Sequence, residues 1–259
     1  MMQIQPYFNE REAWDALAER ENLRYEVLEL STPPALDRAG LAASCREWYR
    51  VCKRTASLHG AFIDVDPASA DTAFRALSQR RCRESCATAV MLGAKNVVFC
   101  SSCLPFLRGD YLDAWADACA EFYHTLAEQH RLHIFIKNRM DVDPQPLSAL
   151  MRRIHDDQIG VCLDVGHANY SRVPVGKWLD TLGDRIGYLH LSDNNGEFDD
   201  CLPIGDGTVD WAAVDAFRKQ LGGDIPVTLE VGSVKGVERS LRYLRERGLF
   251  SEPSEAKRG

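Results

Sequence analysis

No stretch of this 259-residue chain approaches the roughly 20 consecutive apolar residues of a helical membrane span. Its first residues, Met1-Met-Gln-Ile-Gln-Pro, lack the charged segment and apolar run of a secretory signal, so the expectation is a cytoplasmic protein without a membrane partner. Positive charge is also in deficit. Against 38 Asp and Glu stand 31 Lys and Arg, a formal balance of −7, which offers no general attraction to phosphate backbones and argues against a nucleic-acid partner. A disulfide framework is missing as well. The nine cysteines (45, 52, 82, 86, 100, 103, 119, 162 and 201) are odd in number and scattered, a distribution that suits reduced thiols. Cys100-Ser-Ser-Cys103 has the C-x-x-C spacing, but neither a thioredoxin-like context nor the second pair of a zinc ribbon accompanies it. Low-complexity sequence is absent until the polar tail 251–259, which is expected to be disordered.

What is present is alternation. At 45% hydrophobic and 27% charged residues the chain has the composition of a globular protein with a large core. Apolar, β-branched runs predict strands near 3–8, 25–31, 55–63, 96–102, 132–138, 160–165, 186–192 and 226–231. Apolar positions spaced by three and four predict helices over 10–21, 37–53, 69–92, 109–131, 144–157, 174–183, 209–221 and 235–247. Eight β/α units without a marked linker predict an α/β protein, one (β/α)8 TIM barrel over residues 1–250.

On such a barrel, catalytic groups sit at the C-terminal strand ends. The most informative stretch is Gly160-Val-Cys-Leu-Asp164-Val-Gly-His167, then Tyr188-Leu-His190-Leu-Ser-Asp193, then Leu202-Pro-Ile-Gly205-Asp-Gly207. Two apolar runs there end in carboxylate and imidazole groups. Glu29, His59, Lys137 and Glu230 also fall at or near strand ends, so these residues are expected to face one pocket with Asp164 and His190.

These motifs resemble the xylose-isomerase-like barrels, a superfamily of sugar and sugar-phosphate isomerases and epimerases that also includes the endonuclease IV type of repair enzyme. The resemblance implies one divalent cation, Mn or Zn, held by Glu, Asp, His and Glu from the last four strands. Asp164, His190 and Glu230 match three of these ligands; the fifth strand reads Ile136-Lys137-Asn138 and puts a lysine where the first Glu is expected. The endonuclease branch uses more histidines. His59 and His167 match it, but Cys100 and Cys201 stand where two others belong, which weighs against a multi-zinc phosphodiesterase.

The expected roles follow from the resemblance. Lys137, Glu230 and His59 are the catalytic candidates, and His167, Asp193 and Glu29 the substrate contacts. Asp164, His190 and Glu230 are the metal ligands if a metal binds at all. Lys137 leaves three alternatives open: its ammonium replaces the cation, it turns aside from a bound metal, or it serves as an amine nucleophile. The implied activity is proton transfer beside the carbonyl of a small polyhydroxylated substrate. A metal-free barrel that binds a sugar-like metabolite without turnover is the alternative.

Overall fold

The computed structural model describes residues 1–31, 39–171 and 173–251. Eight parallel strands close on themselves in sequence order: β1 Met2–Ile4, β2 Arg24–Val27, β3 Thr55–His59, β4 Asn96–Cys100, β5 His133–Lys137, β6 Ile159–Asp164, β7 Ile186–Leu191 and β8 Val227–Leu229. The helices are α1 Arg11–Arg20, α2 Ala39–Cys52, α3 Thr72–Leu92, α4 Asp110–His130, α5 Gln145–Met151, α6 Val165–Asn169, α7 Val175–Leu182, α8 Trp211–Gln220 and α9 Val234–Glu246. This is the expected (β/α)8 barrel. No helix among the described residues is long and apolar enough to cross a membrane.

Strands of a parallel barrel are covered on both faces, and most residues of these eight are buried, Ile159–Asp164 entirely so. Their outward residues join helix residues such as Trp14, Trp178 and Trp211 in one large buried core. Inside the barrel a smaller cluster of Val98, Phe135, Cys162 and Tyr188 fills the lumen. Gly187 makes room for it, since a Cβ there would lie 2.7 Å from the Phe135 ring.

Helix starts follow from side-chain caps. Asp71 accepts from the amides of Ala73 and Phe74 to open α3, Asp210 accepts from Ala213 to open α8, and Ser233 accepts from Gly236 to open α9. The expected helix 144–157 stops at Met151. Beyond it the chain turns, and Asp156 accepts from the Gln158 amide, the local bond by which Asp favours a turn. Helix α6 was not expected; it begins directly at the end of β6 because the Asp164 carboxylate accepts from the His167 amide at 2.9 Å. Several expected strands run too far at their C-terminal ends, where the chain has already entered loops. The beginning of the expected helix 37–53 and all but Ser251 of the expected tail 251–259 lie outside the described residues.

Candidate active site

Side chains alternate along a strand, so the residue two places beyond a lumen-filling one points inward again, one layer higher. Applied to the lumen layer Ser57, Val98, Phe135, Cys162, Tyr188 and Thr228, this rule gives His59, Cys100, Lys137, Asp164, His190 and Glu230. The register agrees, pairing Asp164 with His190 and Cys100 with Lys137.

Lys137 is the centre of that layer. Its Nζ lies 3.0 and 3.3 Å from the two Glu230 oxygens, 3.1 Å from Asp164 Oδ2 and 3.3 Å from His190 Nδ1. Lys137 and Asp164 are each 2% exposed and Glu230 20%, so the ammonium is screened by protein while one carboxylate looks toward the mouth. Burial alone works against the charge on Lys137, but Glu230 and Asp164 outweigh it and hold its pKa well above the usual lysine value. Burial likewise opposes the charge on Glu230, and Lys137 and His190 together pull its pKa well below the usual range.

Below this layer lies Glu26, completely buried and in the middle of β2. Its Oε2 accepts from Tyr188 Oη at 2.6 Å, His190 Nε2 at 2.9 Å and Thr228 Oγ1 at 2.9 Å, and Oε1 accepts from Gln5 Nε2 at 2.8 Å. Burial opposes its charge, but the neighbouring His190 and the donated hydrogen bonds bring its pKa down to about 2. The other nitrogen of His190, Nδ1, faces Glu230 Oε2 at 2.8 Å. A carboxylate only accepts, so both ring nitrogens donate and His190 is an imidazolium. Burial opposes that charge as well, and the flanking carboxylates keep its pKa well above the ordinary value.

His59 is held in the opposite state. Its Nδ1 donates to the Gly60 carbonyl at 3.0 Å, leaving Nε2 with its lone pair 3.9 Å from the Cys100 sulfur. Burial and the Lys137 charge lower its pKa to about 4, and burial raises that of the Cys100 thiol to about 11. His167 is fixed at the rim, with Nδ1 2.7 Å from the Asn138 carbonyl and Nε2 3.1 Å from Asp199 Oδ2. Burial opposes its protonation, yet Asp164 and Asp199 raise its pKa.

A family model described as a xylose isomerase-like TIM barrel matches residues 3–247. The chain belongs to that family. An uncharacterized protein of Methanocaldococcus jannaschii is 26% identical over 201 residues, 73% of this chain and 68% of its own length. Among solved structures, the TTHB071 protein from Thermus thermophilus, soaked with ZnCl2, superposes with a TM-score of 0.75 at 24% identity, covering 95% of this chain and 96% of that one. A D-tagatose 3-epimerase-like protein superposes with a TM-score of 0.74 at 21% identity and the same coverage. At these identities the structural likeness establishes the fold.

For a member of the xylose isomerase-like family the metal question is concrete. One ligand-type atom each from Asp164, His190 and Glu230 lies within 4.8 Å of the other two, a set of the kind that holds a divalent cation. As arranged, however, these residues do not fit one. The Lys137 ammonium stands among them, and both His190 nitrogens carry protons directed at carboxylates, leaving no lone pair for Mn or Zn.

Six of the eight site residues expected from sequence are drawn into this layer or its rim: Lys137, Asp164, His190, Glu230, His59 and His167. Asp193, expected as a substrate contact, is fully buried, and its carboxylate accepts from the amides of Asn194, Gly205 and Val209 and from Trp211 Nε1, which makes it the organiser of the β7–α8 loop. A side chain at Gly207 would overlap that carboxylate and the Asn194 carbonyl. Glu29 holds the flank of the mouth: its Oε2 accepts from the Phe8 amide at 2.8 Å and Tyr49 Oη at 3.3 Å.

Sequence reasoning missed Glu26 and Asn138. Glu26 had a signal, a lone acid at an inward position between Tyr25 and Val27 of a buried strand. Asn138 exchanges two hydrogen bonds with the backbone of Asp164, at 2.8 and 3.0 Å, and ties the ends of β5 and β6 together.

Proposed function

We propose that this chain is an enzyme that isomerises or epimerises a small polyhydroxylated carbonyl compound, a sugar or sugar phosphate, by moving a proton at the carbon beside the carbonyl. The observation that supports this reading is the Lys137 ammonium fixed among Asp164, His190 and Glu230 at the C-terminal end of the barrel. Proton removal beside a carbonyl leaves an enediolate, and its oxygen needs a positive neighbour placed in advance. Lys137 supplies that charge, and His190 is a second cation in contact with it. His59 is the base whose protonation state suits the task, neutral with the Nε2 lone pair facing the Cys100 thiol at 3.9 Å. Return of the proton to the adjacent carbon gives isomerisation, and return to the opposite face gives epimerisation. His167 and Asp199 line the rim as substrate contacts. The epimerase-like structural neighbour agrees with this chemistry at the level of fold.

A second reading, a sugar-binding barrel without turnover, draws on Glu230. A carboxylate held by Lys137 and His190 is a weak proton acceptor.

Incubating the protein in D2O with a panel of ketopentoses and ketohexoses, free and phosphorylated, tests the first reading. Proton NMR should show deuterium entering at the carbon beside the carbonyl, and Asp164→Ala, Glu230→Ala and His59→Asn should each abolish it. Binding of a sugar with no deuterium incorporated would select the second reading and refute the first.

A further inference from the structure

Two residues beyond Lys137, Arg139 leaves the barrel with its backbone held on both sides. Its amide donates to Asp141 Oδ2 at 3.2 Å, and its carbonyl accepts from Tyr170 Oη at 3.1 Å. The guanidinium lies 4.9 Å over the Phe62 ring and donates through Nη1 to the Phe62 carbonyl at 3.2 Å. Phe62 packs edge-on against the His59 ring at 4.8 Å, and Tyr170 packs against His167 at 5.6 Å. Arg139 is therefore fixed at the barrel end that carries the polar layer, between the His59 and His167 sides of the mouth.

The charge on this side chain is permanent, and it has five N–H donors in a planar fork. Among the described residues one of those donors has a protein acceptor, the Phe62 carbonyl, and no carboxylate pairs with the guanidinium. Arg108, Arg153 and Arg218 show the contrast, since each is paired with an aspartate. Asp199, the acid of the rim, is engaged by His167 Nε2 and by the Cys201 thiol. Arg139 is half-buried, and among the described residues its remaining donors meet no carboxylate. Stacking on Phe62 restricts its rotamers before any ligand arrives, which lowers the entropic cost of binding.

We infer that Arg139 recognises an oxyanion, a phosphate or carboxylate, carried by the substrate at a distance from its carbonyl centre. The inference rests on the proposed function and narrows its substrate class to anionic sugars. A planar guanidinium meets two oxygens of such a group at once. Hydrogen bonds to charged groups contribute enough to make the anionic form bind about ten- to a hundredfold more tightly than its neutral parent.

Isothermal titration tests this with matched sets of 2-ketopentoses and 2-ketohexoses in neutral, terminal-phosphate and terminal-carboxylate forms, using wild type, Arg139→Gln and Arg139→Lys. Wild type should favour one charged form over its neutral parent by the stated factor, and the phosphate and carboxylate arms identify which oxyanion is read. Arg139→Gln should lose that preference while binding the neutral parent within about twofold of wild type. Arg139→Lys should keep part of the preference, because it retains the charge without the fork. A neutral ketose bound as tightly as its charged forms, or a preference that survives in Arg139→Gln, overturns the inference and leaves the proposed function standing. Binding of none of the compounds overturns both.

Discussion

Replacing Lys137 by glutamate puts the metal and metal-free arrangements to a direct test. The wild-type ammonium, 3.0 Å from Glu230 and 3.1 Å from Asp164, neutralises one carboxylate that is shielded from water, Asp164, and one that is 20% exposed, Glu230. Removing one partner of a buried ion pair costs about 3–5 kcal/mol. Lys137→Glu adds a third carboxylate to the same space, so the metal-free variant should lose at least that much. For a chain of this size the loss corresponds to roughly 6–20 °C in Tm, at about 2–4 °C per kcal/mol. The new carboxylate also completes a Glu-Asp-His-Glu set, and without the ammonium His190 is free to give up its Nδ1 proton. Mn or Zn at about a hundred times its Kd should return about 2.7 kcal/mol, roughly 5–11 °C. Lys137→Met serves as the control, because it loses the charge, gains no ligand and should not be rescued. The sign with pH follows from Glu230, whose folded-state pKa is depressed. Its stabilising contribution is present above the ordinary carboxylate range and is lost as pH falls through the lower folded value, so the gap between wild type and Lys137→Met should narrow on acidification. Thermal melts and titration calorimetry after chelator treatment read all of these quantities. Tight one-to-one binding of Mn or Zn by wild type would refute the reasoning, as would a glutamate variant that gains no affinity.

Further outcomes follow from the same geometry. Glu26→Gln leaves the His190 imidazolium without its inner counter-charge and should lower stability by about 3–5 kcal/mol in urea melts, with an unchanged midpoint counting against the inner pair. Buried neutral His59, with its pKa near 4, contributes stability that is complete above the unfolded value of about 6.5 and is lost as pH falls toward 4, about 3 kcal/mol in all; urea midpoints across that range should flatten in His59→Asn. Gly207→Ala should destabilise by about 1–3 kcal/mol, because the new methyl meets Asp193 and the Asn194 carbonyl. Gly176→Ala, in α7 with open space around its Cα, should stabilise by about 0.5–1 kcal/mol, and equal melting shifts for the two alanine variants would contradict the packing argument.

The barrel was legible because its signals are local. Apolar, β-branched runs and helical spacing mark eight units without any knowledge of tertiary contacts, and the alternation of side chains along a strand identifies which strand-end residues turn inward. Lys137, Asp164, His190 and Glu230 could therefore be grouped from sequence, since each is the last inward residue of its strand or the first beyond it. Asp193 and Glu29 could not be placed in this way. Both lie beyond their strands, where the path of a loop decides what a carboxylate meets. Asp193 meets three backbone amides and an indole, and Glu29 meets the amide of Phe8 from the neighbouring β1 loop. An acid that satisfies loop donors and an acid that waits for substrate have the same one-letter code, and only the donors around it tell them apart.

Glu26 shows the complementary failure. A carboxylate buried without partners costs several kcal/mol, so an acid in a strand with both faces buried predicts that cations or donors converge on it. The acid was visible, but its partners are Gln5, just past β1, and residues of β7 and β8, more than 160 residues away for Tyr188, His190 and Thr228. That convergence fixes the character of the whole site. Because Glu26 draws a proton onto His190 Nε2 while Glu230 draws one onto Nδ1, the imidazole is committed to donating on both edges. A chain that kept glutamate at position 137 would need one of those edges for a metal. With lysine there, both edges are free to bind carboxylates, and the inner pair, the imidazolium and the ammonium form one arrangement of mutually dependent charges.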